Sequence, residues 1–369
     1  MKPISTKEYL VAGGIGFLVG MRLLGSTLGI FYILIGGVCV YFAFRNDIKS
    51  VFTYMPYLAF TEMFMRTGTG GSYVPYLFMP YLMITVFVVM LFNKKGGLSV
   101  HSRCALPILL YTVIEALDMI RADDIQYARS MVTNSILLTF VAIWASSNAI
   151  NSKTTSHIIK HLTLASVYLC GNILVAHFTH QISYSLVSSS ESTNRMAPVL
   201  VSGFLGVGSS LLFLYLMNDT NKRRFVSHLV MFVVSVTLMV LSFSRGGIYF
   251  LSSVIALFAI FNWREIKRFA ILFLLLPVGY IIYYYATNAT DGKIEERYSA
   301  EGGASTREDL VKAGFAIFMD EPLAGVGTGN YGREIRERDL YDVESGAHNE
   351  FVRAAAEHGL FGILFYWGF

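Results

Sequence analysis

A few polar positions in the last third of the chain have the side chains and spacing to do chemistry. His348 sits in Gly346-Ala347-His348-Asn349-Glu350, directly before a helix-like run from Phe351 to Glu357. An imidazole there can accept a proton near neutral pH. Asn349 can cap the helix, and Glu350 can orient the ring or bind a hydroxyl. The plainer alternative is a helix-start histidine held by a structural hydrogen bond. Arg307 follows Gly302-Gly303-Ala304-Ser305-Thr306, with Ser305 or Thr306 as cap and Glu308 and Asp309 in the first turn of an amphipathic helix. It reads either as an anion ligand or as a solvated arginine paired with one of those carboxylates. Arg245 lies in Phe243-Ser244-Arg245-Gly246-Gly247, between two apolar blocks. There a guanidinium grips a phosphate in bidentate fashion or snorkels to the headgroup layer.

Other positions carry weaker signals. Pro322-Leu323-Ala324-Gly325-Val326-Gly327-Thr328-Gly329-Asn330 is glycine-rich but lacks the Gly-Lys-Ser/Thr ending of a P-loop and the GxGxxG nucleotide fingerprint. It predicts a tight re-entrant turn against other helices. Glu62 and Arg66 share a helix face, and Glu115 and Asp118 fall near the end of a span. His177 and His180 have no carboxylate or cysteine cluster beside them, which argues against a metal. Cys39, Cys104 and Cys170 lie inside apolar blocks without zinc spacing and read as small buried hydrophobes.

The elements that must position these groups are membrane helices. Of the 369 residues, 54% are hydrophobic and only 15% charged, and the mean hydropathy is +0.53; a soluble domain carries roughly a quarter charged residues. The apolar residues come in continuous blocks, most long enough to cross a bilayer, which requires about 17–25 residues. The expected fold is therefore an all-α polytopic membrane protein, and continuous rather than alternating blocks disfavour a barrel. Eleven spans are expected, at about 8–24, 28–44, 51–65, 75–92, 104–120, 131–150, 158–177, 197–217, 226–244, 247–263 and 269–286. A twelfth begins near 358 and is cut off at Phe369, the pattern of a truncated last helix. The start of the chain reads as a retained first helix rather than a cleaved leader.

The domain plan that follows is a transmembrane domain over 1–286, an external loop with short helices over 287–357, and the start of the last span over 358–369. Lysines gather in one alternating set of loops and are missing from the other, which carries Arg66, Arg121, Arg129, Arg195 and Arg245. The positive-inside rule then puts the N-terminus in the cytoplasm and 287–357 outside. That loop holds eight basic and fifteen acidic residues, net −7; the remainder nets +11, which restores the overall +4. An acidic loop is a poor general polyanion binder, which excludes nucleic acid as a partner, and it must hold any phosphate through a few placed arginines.

Taken together, Ser244-Arg245-Gly246, Thr306-Arg307, the Pro322–Gly327 turn, His348-Asn349-Glu350-Phe351 and Glu357-His358-Gly359-Leu360-Phe361-Gly362 resemble the O-antigen ligase and polymerase family. These are bacterial membrane glycosyltransferases of the GT-C type. The resemblance covers about 200–369 by motif and the rest by hydropathy alone. It implies a protein of the bacterial cytoplasmic membrane that moves a glycan from a polyprenyl (undecaprenyl) pyrophosphate carrier to an acceptor hydroxyl on the external side. It further implies inversion at the anomeric carbon, with no metal and no other cofactor. In that scheme Arg245 and Arg307 hold the pyrophosphate, His348 is the base on the acceptor, and Asn349 and Glu350 contact substrate. The acceptor is either another lipid-linked glycan, as for an O-antigen or exopolysaccharide polymerase, or a lipid A core, as for a lipopolysaccharide ligase. Nothing marks a lipid A partner, which tilts the reading toward polymerisation. The rival is a flippase for the same glycans, which would place its charged residues near the bilayer midplane instead of at one face.

Overall fold

In a computed structural model the described residues are 2–23, 27–68, 78–93, 105–148, 150–179, 184, 190–262, 264, 266–299, 302–341 and 345–367. Cys104 and His180 lie outside them, and the side chains of Arg66 and Thr306 are likewise not described. Every described regular element is helical: α1 (Thr6–Gly20), α2 (Thr27–Phe44), α3 (Ile48–Gly68), α4 (Phe78–Phe92), α5 (Ala105–Asp118), α6 (Ile125–Ser147), α7 (Ser152–Phe178), α8 (Pro198–Asn218), α9 (Lys222–Leu241), α10 (Gly246–Phe261), α11 (Ile266–Ala289), α12 (Lys293–Ser299), α13 (Gly302–Asp320), α14 (Tyr331–Glu337) and α15 (Glu350–Gly362). A helix overlies each of the eleven expected apolar blocks. Among the described residues, α2, α6, α7, α8 and α9 are long and apolar enough to cross a membrane, and α4 and α10 are shorter apolar helices.

The chain divides into two compact units. Residues 1–39, 47–75 and 151–299 form the first, and 40–46, 76–150 and 300–369 the second. The second joins α4–α6 to α13–α15, so residues 300–357 of the segment expected as a separate external loop share a unit with three of the apolar helices, while 287–299 belong to the first unit.

The first unit is built on α7, which packs against α1, α3, α8 and α9. Asn151 caps it through Thr154 N at 2.8 Å, and most of its residues from Thr163 to Ala176 are buried. Contact with α1 is backbone to backbone. A Cβ on Gly16 would stand 1.9 Å from the Tyr168 carbonyl oxygen, and one on Gly171 would stand 2.0 Å from that of Gly13. Small residues allow helix axes this close, which maximises dispersion contact where lipid supplies no hydrophobic drive.

The second unit has its own apolar core of Leu310, Ala313, Ile317, Val326, Tyr331, Ile335, Ala347 and Ala356. Each large side chain removed from water contributes roughly 1.5–3 kcal/mol. Contact between α13 and α15 is close enough that a Cβ on Gly314 would meet Val352 Cγ1 at 2.3 Å.

Gly16→Val should force α1 and α7 apart and cost about 1–3 kcal/mol. Gly14→Val, where a Cβ meets nothing within 4 Å, should be near neutral. Thermal unfolding of the two purified variants side by side reads the difference, and equal midpoints would refute the close packing.

Candidate active site

The start of α15 fixes His348. Asn349 caps the helix, its Oδ1 accepting from Phe351 N at 3.0 Å and Val352 N at 3.4 Å. Ala347, on the other side, is buried in the core of the unit. Between these anchors His348 takes a left-handed backbone, φ +48°, and its side chain is exposed. A non-glycine residue in that region is uncommon and is held there by its surroundings. The cap expected from Asn349 is present. Glu350 differs from expectation: its carboxylate accepts from Arg353 Nε at 2.6 Å instead of orienting the imidazole.

Inward from the cap, α15 carries a charged core. The Arg353 side chain donates to Glu357 Oε2 at 2.6 Å, to Glu115 Oε1 at 3.3 Å and to Tyr111 OH at 3.2 Å, in addition to Glu350. Arg353 is 8% exposed, and Glu115 and Glu357 are fully buried. One guanidinium therefore serves three carboxylates. Burial pushes the Glu357 carboxyl up, against the pull of Arg353 and His358, while the surrounding carboxylates more than offset burial and hold Arg353 firmly cationic. Both directions are consistent with several carboxyl groups sharing a single cation, so that not all of them ionise at low cost. Beside this group, His358 Nδ1 lies 2.7 Å from Asp118 Oδ2, and its Nε2 is 3.9 Å from Glu357 Oε2.

The glycine-rich turn closes over the same core. Gly325, Gly327 and Gly329 all have positive φ, the conformation glycine adopts without a Cβ penalty. Val326 N donates to the Ala356 carbonyl at 3.1 Å and Gly327 N to that of Glu357 at 2.8 Å. A Cβ on Gly325 would stand 2.4 Å from the Glu357 carbonyl carbon. From α5 and the short turn after it, Arg121 donates to the carbonyls of Gly325 and Ala324 at 2.9 and 3.0 Å, and Thr328 Oγ1 donates to the Glu115 carbonyl at 2.6 Å. The expected tight turn against other helices is present, packed on α15 and on the end of α5.

A cavity of about 510 Å³ opens beside these elements, lined by Asp123, Asp124, Tyr127, Asn330, Arg333 and Arg336, by Gly346 and Ala347 next to His348, and by Arg353 and Glu357 at its inner end. Arg333 pairs with Asp123, and with Glu334 at 2.6 Å. Arg338 binds Glu334, Asp320 and Glu321 at 2.9–3.0 Å. Burial alone would raise the Glu334 carboxyl, but the hydrogen bonds from Arg333 and Arg338 outweigh it and hold it below its ordinary value of 4.5.

Arg307 and His348 belong to this unit. Arg307 is exposed, within α13, which starts at Gly302; Ser305 and Thr306 are thus inside the helix and not at its cap. Arg307 makes no ion pair among the described residues, and Glu308 pairs instead with Lys312 at 2.9 Å. Arg245 belongs to the other unit. It is half-buried at the N-cap of α10, two residues after Phe243, which is buried with φ +57° and packs with Ile294 of α12. A cation at a helix N-terminus opposes the macrodipole, so helix stability does not explain its place there. Glu62 accepts from Tyr32 OH at 3.2 Å, and His177 is shared between Tyr184 and Tyr285 at 2.9 and 2.7 Å. Groups of three or more potential metal ligands do not occur among the described residues. The sequence reading gave no role to Arg353, Glu357 or His358, although the i, i+4 spacing of Arg353 and Glu357 on an apolar-faced helix is a legible pairing signal.

The segment holding Arg245, Arg307, the glycine turn, His348 and α15 can be compared with known families. Residues 229–367 match the family model of O-antigen ligase. The match covers the sequence motifs from Arg245 to Gly362 on which the resemblance to the O-antigen ligase and polymerase family rests. No curated protein and no solved structure matches the chain. The matched segment is similar to that family over 139 of the 369 residues, and five of the described helices are long and apolar enough to cross a membrane.

Arg353→Met should leave Glu115 and Glu357 buried without their cation and cost about 3–5 kcal/mol. Glu350→Gln, whose side chain is largely exposed, should cost under about 1 kcal/mol; comparable unfolding midpoints for the two would refute the charged core. Glu334, with its pKa lowered on folding, contributes stability above its unfolded value of 4.5 that is lost as pH falls through the lower folded value. The thermal midpoint of the wild type should therefore drop more steeply than that of Glu334→Gln between about pH 5 and pH 3.

Proposed function

We propose that the protein joins a glycan carried on a polyprenyl pyrophosphate to a sugar hydroxyl, with inversion at the anomeric carbon, at the external face of the bacterial cytoplasmic membrane. The observation that carries this reading is His348. It is an exposed imidazole in a left-handed backbone, anchored by the Asn349 cap and by Ala347, its neighbour in the chain, which lines a polar cavity, inside the segment that matches O-antigen ligase.

In the proposed reaction the acceptor oxygen attacks the anomeric carbon as the carbon–oxygen bond to pyrophosphate breaks. Polyprenyl pyrophosphate leaves, and the hydroxyl proton passes to His348. Arg307 and Arg245 take the negative charge that develops on the leaving oxygen, by bidentate hydrogen bonds that strengthen as the bond breaks. With the leaving group so held, the remaining demand is one base and alignment of the acceptor. The cavity offers both for a sugar: Asp123, Asp124 and Arg336 for hydroxyl groups, and the partly exposed Tyr127 ring for a pyranose face. Asn349 and Glu350 border that acceptor from the first turn of α15. The acceptor is itself lipid-linked, so the product is a lengthened chain.

Purified protein in liposomes, given a polyprenyl-pyrophosphate glycan, should form longer lipid-linked chains. His348→Ala should lower the rate by about 10²–10⁴-fold at unchanged folding. Arg307→Lys should lower it by roughly tenfold or more, because an ammonium cannot reproduce the guanidinium fork. Wild-type turnover by His348→Ala would remove His348 from the mechanism, and movement of glycan across the bilayer without new bonds would make the protein a transporter.

A further inference from the structure

The first unit contains a second polar cavity, unconnected with the residues discussed so far. It has a volume of about 430 Å³ and is lined by Lys2, Lys49, Lys153, Ser152, Ser156 and His157. Its three lysines come from three separate segments: the chain start, the first turn of α3 and the first turn of α7. No carboxylate lines it. Asp47, two residues from Lys49, is turned onto Ser50, accepting from its hydroxyl at 2.6 Å and its N–H at 3.2 Å. His157 shapes the wall, its Nε2 lying 2.9 Å from Thr53 Oγ1 and 3.1 Å from the Lys49 carbonyl. Ser152 and Ser156 stand at the N-terminal end of α7, where the helix dipole adds to the positive potential. Three cations and two hydroxyls around one space match an anion with several oxygens, a phosphate or phosphodiester.

Further along the same helices lies an apolar groove of about 270 Å³, lined by Val11, Ala12 and Ile15 of α1, Tyr57 of α3 and Leu164 of α7, with Lys7 and Glu8 at its end. Tyr57 is eight residues beyond Lys49, and Leu164 seven beyond His157. At 1.5 Å per residue, the groove lies about 10–12 Å along the helices from the lysine cavity. Glu8, the carboxylate at that end, is neutralised by Lys160. Its charge therefore does not repel an anion in the cavity.

A cationic cavity at the helix ends, followed by an apolar groove along the same three helices, is the order of parts in a lipid: headgroup, then chain. We infer that this face of the first unit binds one anionic phospholipid, with its phosphodiester among Lys2, Lys49 and Lys153 and an acyl chain between α1, α3 and α7. Lysines near an anionic lipid surface contribute about 1 kcal/mol each, and the groove adds chain burial at about 0.8 kcal/mol per methylene. Because α1 and α7 meet backbone to backbone at Gly16 and Gly171, a lipid lying along them would bear on the most tightly packed helix pair of the unit. It would act as a structural ligand, distinct from the glycan-bearing lipid of the proposed reaction, and the inference does not depend on that reaction.

The full chain, delipidated in a neutral detergent, is to be titrated with phosphatidylglycerol, phosphatidylcholine and inorganic phosphate, with bound lipid read by native mass spectrometry. Phosphatidylglycerol should bind one per chain and roughly tenfold or more tighter than phosphatidylcholine. Lys2→Ala, Lys49→Ala and Lys153→Ala combined should weaken phosphatidylglycerol roughly a hundredfold, about fivefold per lysine, and leave phosphatidylcholine unchanged. These side chains are exposed, so folding is not at stake. Val11→Trp, at an exposed position on the groove, should weaken phosphatidylglycerol without altering phosphate binding. Equal binding of the two lipids would overturn the headgroup assignment, as would full phosphatidylglycerol binding by the triple variant. Displacement of phosphatidylglycerol by an equal concentration of inorganic phosphate would overturn the lipid itself and leave a free-anion site.

Discussion

The second unit depends on one guanidinium. Arg353 is buried among Glu115, Glu350, Glu357 and Tyr111, and through Glu115 it ties α15 to α5. A single cation among carboxylates is an expensive thing to bury, and it is retained only where its partners have no better arrangement. Its effect is to fix the rotation of α15. With Arg353 and Glu357 turned inward toward α5, the residues that precede the helix are committed to the opposite end of the same rigid element. The exposed His348 thus precedes a helix whose rotation is set by that charge network.

Backbone constraints complete what that network begins. Gly325 packs against the Glu357 carbonyl, and Gly359, the kink in α15, against the Leu323 carbonyl. Each of these glycines has a positive φ, and each leaves no room for a Cβ. The two segments therefore interlock at two points two residues apart on α15. Arg121 and Thr328 then fasten the glycine turn to the end of α5. Loop and helix form one body, which explains why a polar segment with little hydrophobic content keeps a defined cavity.

Much of this was legible in the sequence, for physical reasons that differ by element. The apolar blocks were clear because a bilayer demands long uninterrupted runs, and a helix lies over each one. The Asn349 cap and the tight turn at Gly325, Gly327 and Gly329 were clear because local hydrogen bonding and positive φ have local signatures. The ends of α13 were not: the helix starts at Gly302 because continuing backbone hydrogen bonds outweigh the capping preference of Ser305. Nor was the role of Glu350, which has both a histidine and an arginine within reach. Only tertiary placement of α5 against α15 decides that Arg353 takes it. The partition into two units was also hidden, because nothing local says that 300–369 packs with 76–150.

The net charge of residues 287–357 can be set beside how their cations are used. Over 287–357 the acidic residues outnumber the basic ones fifteen to eight. Arg333, Arg338 and Arg353 are each held by two or more carboxylates, Lys312 by Glu308, and Lys293 by the Tyr184 carbonyl. A free anion approaching this surface meets a net negative field with most of its positive charge already committed, and is repelled. Arg307 is exposed and makes no ion pair among the described residues.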